Sequence, residues 1–378
     1  MKIAFFTDTF YPNVDGVVTT LVNYRNEMQR KGEKVFVFTS GDRKTREENK
    51  DNRVFVFHSV RFPPYPQYKI ALYPFNSSEI AREKKIEIVH CHALASMGLA
   101  AIKTSRDLQV PLLGTFHTMV PLAAKKMVGK TAEKILWKAV KVFYDRFDLV
   151  TCPTETIRGI LREKGVESVV VPNGVDTEKY NPRVKANVVR NLIAADKIVL
   201  VAGRISQEKN VDVIVRAASE VLKQTNGLNV KFVITGDGPD RKRIEEMAKS
   251  EGLWKNFVFT GFVKQEHLPS YYAASDCFAT ASTFETQGLA LLEAMACGKP
   301  VVGAKAMAIP EAVRNGKNGF LFPPGDEGAC AEKILKILGM NKAGYARMSK
   351  NARATAEKFS VPKSTSKMLD IYAELLHR

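Results

Sequence analysis

Apolar and polar positions follow a repeating order along this chain. A short apolar run gives way to a turn-rich loop, then to a longer segment with apolar residues three and four apart. Residues 2–8 begin it, with Ile3, Ala4, Phe5 and Phe6 reading as a strand. Residues 9–16 hold Pro12, Asn13, Asp15 and Gly16, all turn formers. Residues 17–31 have helical periodicity and stop at Gly32, and residues 34–39 form the next strand. Strand, loop, helix, strand in this order predicts a parallel α/β sheet. The same alternation predicts strands at 54–60, 86–90, 110–116 and 149–153, with helices at 94–108 and 155–164. Residues 41–52 read as a charged loop, and the proline- and tyrosine-rich residues 61–74 as an irregular, partly exposed segment.

After the Asn173-Gly174 turn and a linker at 177–184, the pattern restarts. Residues 197–202 are a strand, 203–210 a loop and 211–224 a helix. Strands follow at 231–235, 257–262 and 277–281. Gly288 leads into helix formers from Leu289 to Ala296, Gly298 stops them, and residues 299–302 start another strand. Three helical segments finish the chain. Two similar α/β halves predict two domains.

Composition narrows the class. The 378 residues are 45% apolar and 26% charged, which is globular. No apolar run reaches the roughly 18 residues of a membrane span, and residues 1–8 lack a signal-peptide core, so a cytoplasmic location is expected. Five cysteines without a C-x-x-C pair are expected to be reduced and buried. His90-Cys91-His92 reads as a strand end, because neighbouring strand residues point to opposite faces and the three do not chelate one ion. A net charge of +17 calls for anionic partners: nucleic acid, phosphorylated substrate or an acidic membrane. No zinc-finger, helix-turn-helix or RNP-like signature accompanies it.

Several residues then carry candidate chemistry. Glu285 falls on a loop at a strand's carboxyl end, and Glu293 lies two turns later, on the following helix. Between them, Gly288 marks a helix start whose N–H groups suit an anion. Two carboxylates around a helix N-terminus fit a ligand with hydroxyls, phosphate and more hydroxyls: a nucleotide sugar. Arg204 and Lys209 flank another strand end and helix start. They are either a solvated loop pair or a clamp for a diphosphate. Gly16 lets backbone approach a ligand or serves only its turn, and no G-x-G-x-x-G surrounds it. His117 ends a strand, where α/β sheets place ligands, though a capping or core histidine fits there too. Residues 125–146 carry Lys125, Lys126, Lys130, Lys134, Lys138, Lys141 and Arg146 against Glu133 and Asp145, interleaved with Trp137 and Tyr144 at helical spacing. Such a helix fits an anionic membrane interface, or an ordinary surface with solvated lysines.

The string Glu285-Thr-Gln-Gly-Leu, followed by Glu293-Ala-Met-Ala-Cys-Gly-Lys-Pro-Val-Val302, resembles the Glu-x7-Glu motif of the retaining glycosyltransferases of family 4. Gly203-Arg-x4-Lys209 resembles that family's diphosphate clamp, Gly114-Thr-Phe-His117 its donor-sugar histidine segment, and Pro172-Asn-Gly-Val-Asp176 the segment closing its first domain. Met307-Ala308 depart from the family's two glycines before Ile309-Pro-Glu.

The resemblance implies an α/β GT-B fold, two Rossmann-like parallel-sheet domains facing across a cleft. Residues 1–180 would form the acceptor domain and 181–358 the nucleotide-sugar domain, with 359–378 a terminal helix crossing back to the first. It implies a retaining transfer of a hexose from a nucleoside-diphosphate sugar to a hydroxyl. The acceptor is expected to be a membrane lipid, as in diacylglycerol glucosyltransferases and phosphatidylinositol mannosyltransferases. A soluble or polysaccharide acceptor is the alternative, and a polyanion- or nucleic-acid-binding protein on the same fold a more distant one. UDP-glucose and GDP-mannose both fit as donors. The resemblance gives catalytic roles to His117 and Glu285. It gives donor binding to Gly16, Arg204, Lys209, Gly236, Val263, Glu285, Thr286, Gln287, Gly288, Leu289 and Glu293. No D-x-D occurs, so neither a metal nor another cofactor is expected. Expected partners are the sugar nucleotide, a lipid acceptor and an anionic membrane surface reached through residues 125–146, with no nucleic acid. The enzyme would lie peripherally on the inner face of the cell membrane.

Overall fold

The computed structural model describes residues 1–378 except 14, 63, 64, 73, 75, 123–128, 226 and 378, with backbone alone at 61, 62 and 65–70. The chain divides into two compact units, Met1–Gly174 with Val361–Arg378, and Val175–Ser360.

The first unit holds β1 (Lys2–Thr7), β2 (Lys34–Gly41), β3 (Val54–Phe62), β4 (Tyr65–Ala71), β5 (Ile88–Cys91), β6 (Leu112–Thr115), β7 (Leu149–Cys152) and β8 (Val169–Val170). They lie in the order β4-β3-β2-β1-β5-β6-β7-β8. All neighbours run parallel except β3 and β4. The order reverses between β1 and β5, so the loops leaving these strands diverge and open a crevice at their carboxyl ends. Strand β4 falls where the sequence reads as irregular. Prolines at 63, 64 and 66 hide it, and proline is tolerated there because β4 is an edge. Within the expected charged loop, Arg43–Glu48 is a short helix, started by the Asp42 carboxylate accepting from Thr45 N.

One core of this unit joins Ile3, Phe5, Leu21, Tyr24, Val35, Ile88 and Leu113 to Met368, Ile371 and Tyr372 of the helix Val361–Leu376. The last stretch of chain is thus part of the first unit's interior. Where the chain leaves and re-enters, a Cβ on Gly174 would lie 2.6 Å from the Val361 Cα, so a side chain there would collide with backbone.

The second unit holds β9 (Lys197–Ala202), β10 (Val230–Thr235), β11 (Phe257–Gly261), β12 (Cys277–Thr280), β13 (Val301–Ala304) and β14 (Gly319–Phe322). Their order is β11-β10-β9-β12-β13-β14, all parallel. This is the doubly wound Rossmann order, with its switch point between β9 and β12. Buried apolar clusters cover both faces, one under helices Val211–Gln224 and Glu327–Leu338, the other under Leu289–Ala296. All five cysteines are buried and free. Among the described residues no helix is long and apolar enough to cross a membrane.

Candidate active site

In the second unit the loops after β9 and β12 emerge side by side at the switch point. They are stitched together: Asn210 Nδ2 donates to Ala281 O (3.1 Å) and Thr283 Oγ1 (3.2 Å), and Thr283 N donates to Glu208 O (3.1 Å). The result brings Lys209 Nζ to 2.6 Å from Glu285 Oε1, both side chains being less than a third exposed. Burial would raise the Glu285 carboxyl, but the charge and hydrogen bond of Lys209, with help from Ser282, hold it below the usual carboxylate range.

Arg204 lies earlier on the same loop. Gly203 N donates to Thr235 O (3.0 Å) and Ile205 N to Asp237 O (3.0 Å), so the loop is tied to the one after β10. The tie depends on Gly236, whose φ is +126° and whose added Cβ would lie 2.0 Å from Gly203 O. The Arg204 side chain is exposed and takes no hydrogen-bond or ion-pair partner among the described residues.

Past Glu285 come Thr286, half-buried, and Gln287, buried. Gly288 then caps the helix Leu289–Ala296 at φ 84°, with Leu291 N and Leu292 N both donating to its carbonyl. The half-buried Leu289 opens that helix, and its first-turn N–H groups point out of the helix start. Glu293, one turn on, is buried in a different setting. Tyr272 Oη donates to Glu293 Oε2 (2.8 Å) and Tyr180 adds a second hydroxyl. Burial raises this carboxyl to about 7, against the opposing pull of the tyrosines and the Lys179 charge. Environment has therefore separated the two glutamates: one is paired with a cation, the other lies under two phenols. Val263, half-buried, sits on the loop after β11 beside the exposed Phe262.

The first unit assembles its own polar cluster at the carboxyl ends of β1, β5 and β6. Gly16 opens the helix Gly16–Arg30, but Asp15 already caps it, accepting from Val18 N (2.9 Å). Asp8, just past β1, accepts from Ala95 N (3.0 Å) and Met97 N (3.3 Å) at the start of helix Ser96–Leu108, and burial raises it to about 6. His90 and His92, two apart at the strand end, share a side, with ring centroids 3.9 Å apart. His90 spends Nδ1 on Tyr372 Oη (2.6 Å) and Nε2 on Thr115 Oγ1 (2.6 Å). His92 Nδ1 meets His117 Nε2 at 2.9 Å. Burial pushes His117 down to about 4 and His92 well below its ordinary value. No trio of His, Cys, Asp or Glu among the described residues is placed to hold a metal ion.

The helix Lys130–Tyr144 corrects one expectation. Trp137 and Tyr144 face inward, both packing on Phe116 with ring centroids 6.2 and 6.1 Å away. They share the inward stripe with Val140 and Phe143, so they belong to the core and are not interface anchors. Lys134, Ile135, Lys138 and Val142 form the exposed face. Lys125 and Lys126 fall outside the described residues.

The structure brings Lys209 against Glu285 and buries Glu293, all three singled out from the sequence, whereas Tyr180 and Tyr272 beside Glu293, Asp8 at the end of β1 and His92 against His117 were not. Only Asp8 carried a signal, an acid directly after the first apolar strand.

Comparison with known proteins agrees with this layout. The model for "Glycosyltransferase Family 4" matches residues 14–179, and that for "Glycosyl transferases group 1" matches residues 186–355. The chain is 31% identical to the alpha-monoglucosyldiacylglycerol synthase of Streptococcus pneumoniae, over 90% of this chain and 80% of that protein. It is 29% identical to the sulfoquinovosyl transferase SQD2 of Arabidopsis thaliana, over 97% and 72%. Among solved structures, HepE of Anabaena in complex with UDP superposes with a TM-score of 0.81 at 22% identity, covering 99% of this chain and 100% of that one. With the Rossmann order of the second sheet and these matches across both halves, the chain belongs to glycosyltransferase family 4, as a hexosyltransferase of the GT-B fold.

Proposed function

We propose that this enzyme moves a hexose from a nucleoside-diphosphate sugar to a hydroxyl of a membrane glycerolipid, with retention at the anomeric carbon and without a metal. The observation that carries the donor half is the Lys209–Glu285 pair, with Arg204 on the same loop and the Gly288 helix start beyond it. Arg204 and Lys209 would take the diphosphate, with the N–H groups after Gly288 adding partial positive charge. Negative charge develops on the leaving nucleoside diphosphate as the glycosidic bond breaks, and fixed cations and dipoles stabilise it there. In this reading Glu285 holds sugar hydroxyls, Glu293 the ribose hydroxyls, and His117 faces the sugar. The acceptor hydroxyl attacks on the face the leaving group departs from and passes its proton to a leaving phosphate oxygen.

A lipid acceptor is supported by relatives named alpha-monoglucosyldiacylglycerol synthase in Streptococcus pneumoniae and Acholeplasma laidlawii. It is supported further by the exposed Lys134, Ile135, Lys138 and Val142, cations beside apolar side chains, which suit a peripheral position on an anionic bilayer. UDP-glucose is the first donor to test, because HepE also exists in complex with it. The experiment incubates the enzyme with UDP-glucose or GDP-mannose and diacylglycerol in anionic vesicles, with EDTA present. An α-linked glycolipid is expected. A β-linked product, activity abolished by EDTA, or transfer only to soluble sugars would each overturn its part of the proposal.

A further inference from the structure

We propose that His92 is a positioning residue that holds His117 as the tautomer protonated on Nδ1, so that His117 meets the sugar as a hydrogen-bond donor and not as a base. The proposal rests on the reading that His117 faces the substrate. The geometry that carries it lies within the first unit.

The His92 ring is fixed on several sides. Its backbone N–H donates to Phe6 O (2.7 Å), Phe5 packs edge-on at 5.0 Å, and the His90 ring lies 3.9 Å away. Its Nδ1 meets His117 Nε2 at 2.9 Å, and its Nε2 is buried with no partner. His90 cannot take part, since both its nitrogens are occupied by hydroxyls.

Burial disfavours the charged form of both imidazoles, so each carries a single proton. One N–H therefore lies between the two rings, and two arrangements remain. If His117 donates, the proton of His92 is forced onto Nε2, leaving a buried N–H without an acceptor. That is the rarer kind of orphan in folded proteins, and roughly 1–3 kcal/mol is lost when a buried polar group goes unpaired. If His92 donates through Nδ1, its Nε2 carries only a lone pair and no N–H is stranded.

The second arrangement places the His117 proton on Nδ1. That nitrogen has no partner among the described residues and is not enclosed, so it is the one a ligand can reach. The Nε2 lone pair is already occupied by His92. An imidazole in this state has no free basic nitrogen to offer an acceptor hydroxyl. The proton released by that hydroxyl must then go elsewhere, which agrees with its transfer to the leaving phosphate.

The test is nitrogen-15 NMR on the full-length enzyme with labelled histidine, near neutral pH. His117 is expected to show a pyrrole-type Nδ1 and a pyridine-type Nε2, and the reverse assignment overturns the proposal. In parallel, His92→Leu should lower kcat roughly 10-fold, the worth of one hydrogen bond, while UDP affinity by calorimetry stays unchanged. His92→Asn, whose amide N–H can reach the same place, should restore most of it. Full kcat in a folded Leu variant, or no rescue by Asn, counts against the proposal, and the NMR on the unaltered chain decides even if the Leu variant fails to fold. Absence of any UDP affinity in the unaltered enzyme would instead sink the donor-site reading and leave the tautomer result standing.

Discussion

The ammonium of Lys209 stands 2.6 Å from a carboxylate oxygen of Glu285, and the two side chains come from loops leaving the adjacent strands β9 and β12. A cation and an acid 76 residues apart in sequence are thus one unit. Because both are mostly buried, their coupling exceeds that of a surface pair. In a double-mutant cycle of Lys209→Met and Glu285→Gln, UDP-sugar affinity should be non-additive by about 1–3 kcal/mol. Additive losses measured by calorimetry would mean that the pair does not act jointly on the donor.

Arg204 separates binding from folding. Its side chain has no protein partner among the described residues, so Arg204→Ala should change stability by less than about 0.5 kcal/mol. The same change should weaken UDP binding roughly 10- to 100-fold, since a charge-assisted contact to phosphate is lost. A thermal-shift and calorimetry pair reads both numbers from one preparation.

Glu293 gives a pH dependence of donor binding. Its carboxyl is raised from 4.5 to about 7, so it is mostly protonated below that pH. If the ionised form accepts ribose hydroxyls, UDP affinity falls as pH is lowered through about 7, and binding releases a proton. Glu293→Gln should raise the melting temperature above that pH, because a buried charge is removed, while weakening UDP binding. A gain in stability with unchanged affinity would assign the residue to the core alone.

Acid should act on the two units in opposite directions. His117 is depressed from 6.5 to about 4, and His90 and His92 are also lowered by burial. At these three histidines the unfolded chain binds more protons than the native one between those values, so they cost the first unit stability as pH falls from about 6.5 towards 4, a loss that the raised carboxyls of Asp8 and Asp15 offset only in part. Glu293 has the reverse sign, binding its proton more tightly when folded, so the second unit gains stability as pH falls from about 7 to 4.5. Calorimetric scans across this range should therefore resolve two transitions that move apart. A common shift in both would contradict the assignment of these groups.

The helix Lys130–Tyr144 separates a surface role from a packing role. Lys134→Glu with Lys138→Glu should reduce binding to anionic vesicles by roughly five-fold for each lysine, and high salt should have a similar effect. Trp137→Ala should destabilise the fold by about 3–5 kcal/mol, as for a buried aromatic, without altering vesicle binding by the folded fraction. Flotation and urea unfolding on the same variants distinguish the two.

Apart from the edge strand β4, both sheets were readable because each strand–loop–helix unit is local, and because Gly288, Gly298 and Asn173-Gly174 punctuate the chain. The positions of Glu285, Lys209 and His117 at strand ends were readable for the same reason. Which of them touch was not, because strand order decides it. His92 and His117 are 25 residues apart and meet only because β5 lies beside β6. Tyr272 and Tyr180 reach Glu293 from a helix and a linker that carry no mark of it. The inward turn of Trp137 was hidden because periodicity gives a helix an apolar side without saying what covers it.

The second unit leaves and returns at neighbouring points. Val175 N donates to Phe359 O (2.8 Å) and Val175 bridges Ser360, while Gly174 abuts Val361. Residues 175–360 are thus an insert whose ends nearly meet. Splicing Gly174 to Val361 through a short linker should give a minimal first unit that retains its own closing helix, whereas a chain truncated after residue 174 would lack Tyr372 and leave His90 Nδ1 without its hydroxyl partner. Loops and inserts exchanged between such enzymes should be joined at this seam, where swapping one contiguous cassette replaces the second unit and disturbs none of the first unit's interior.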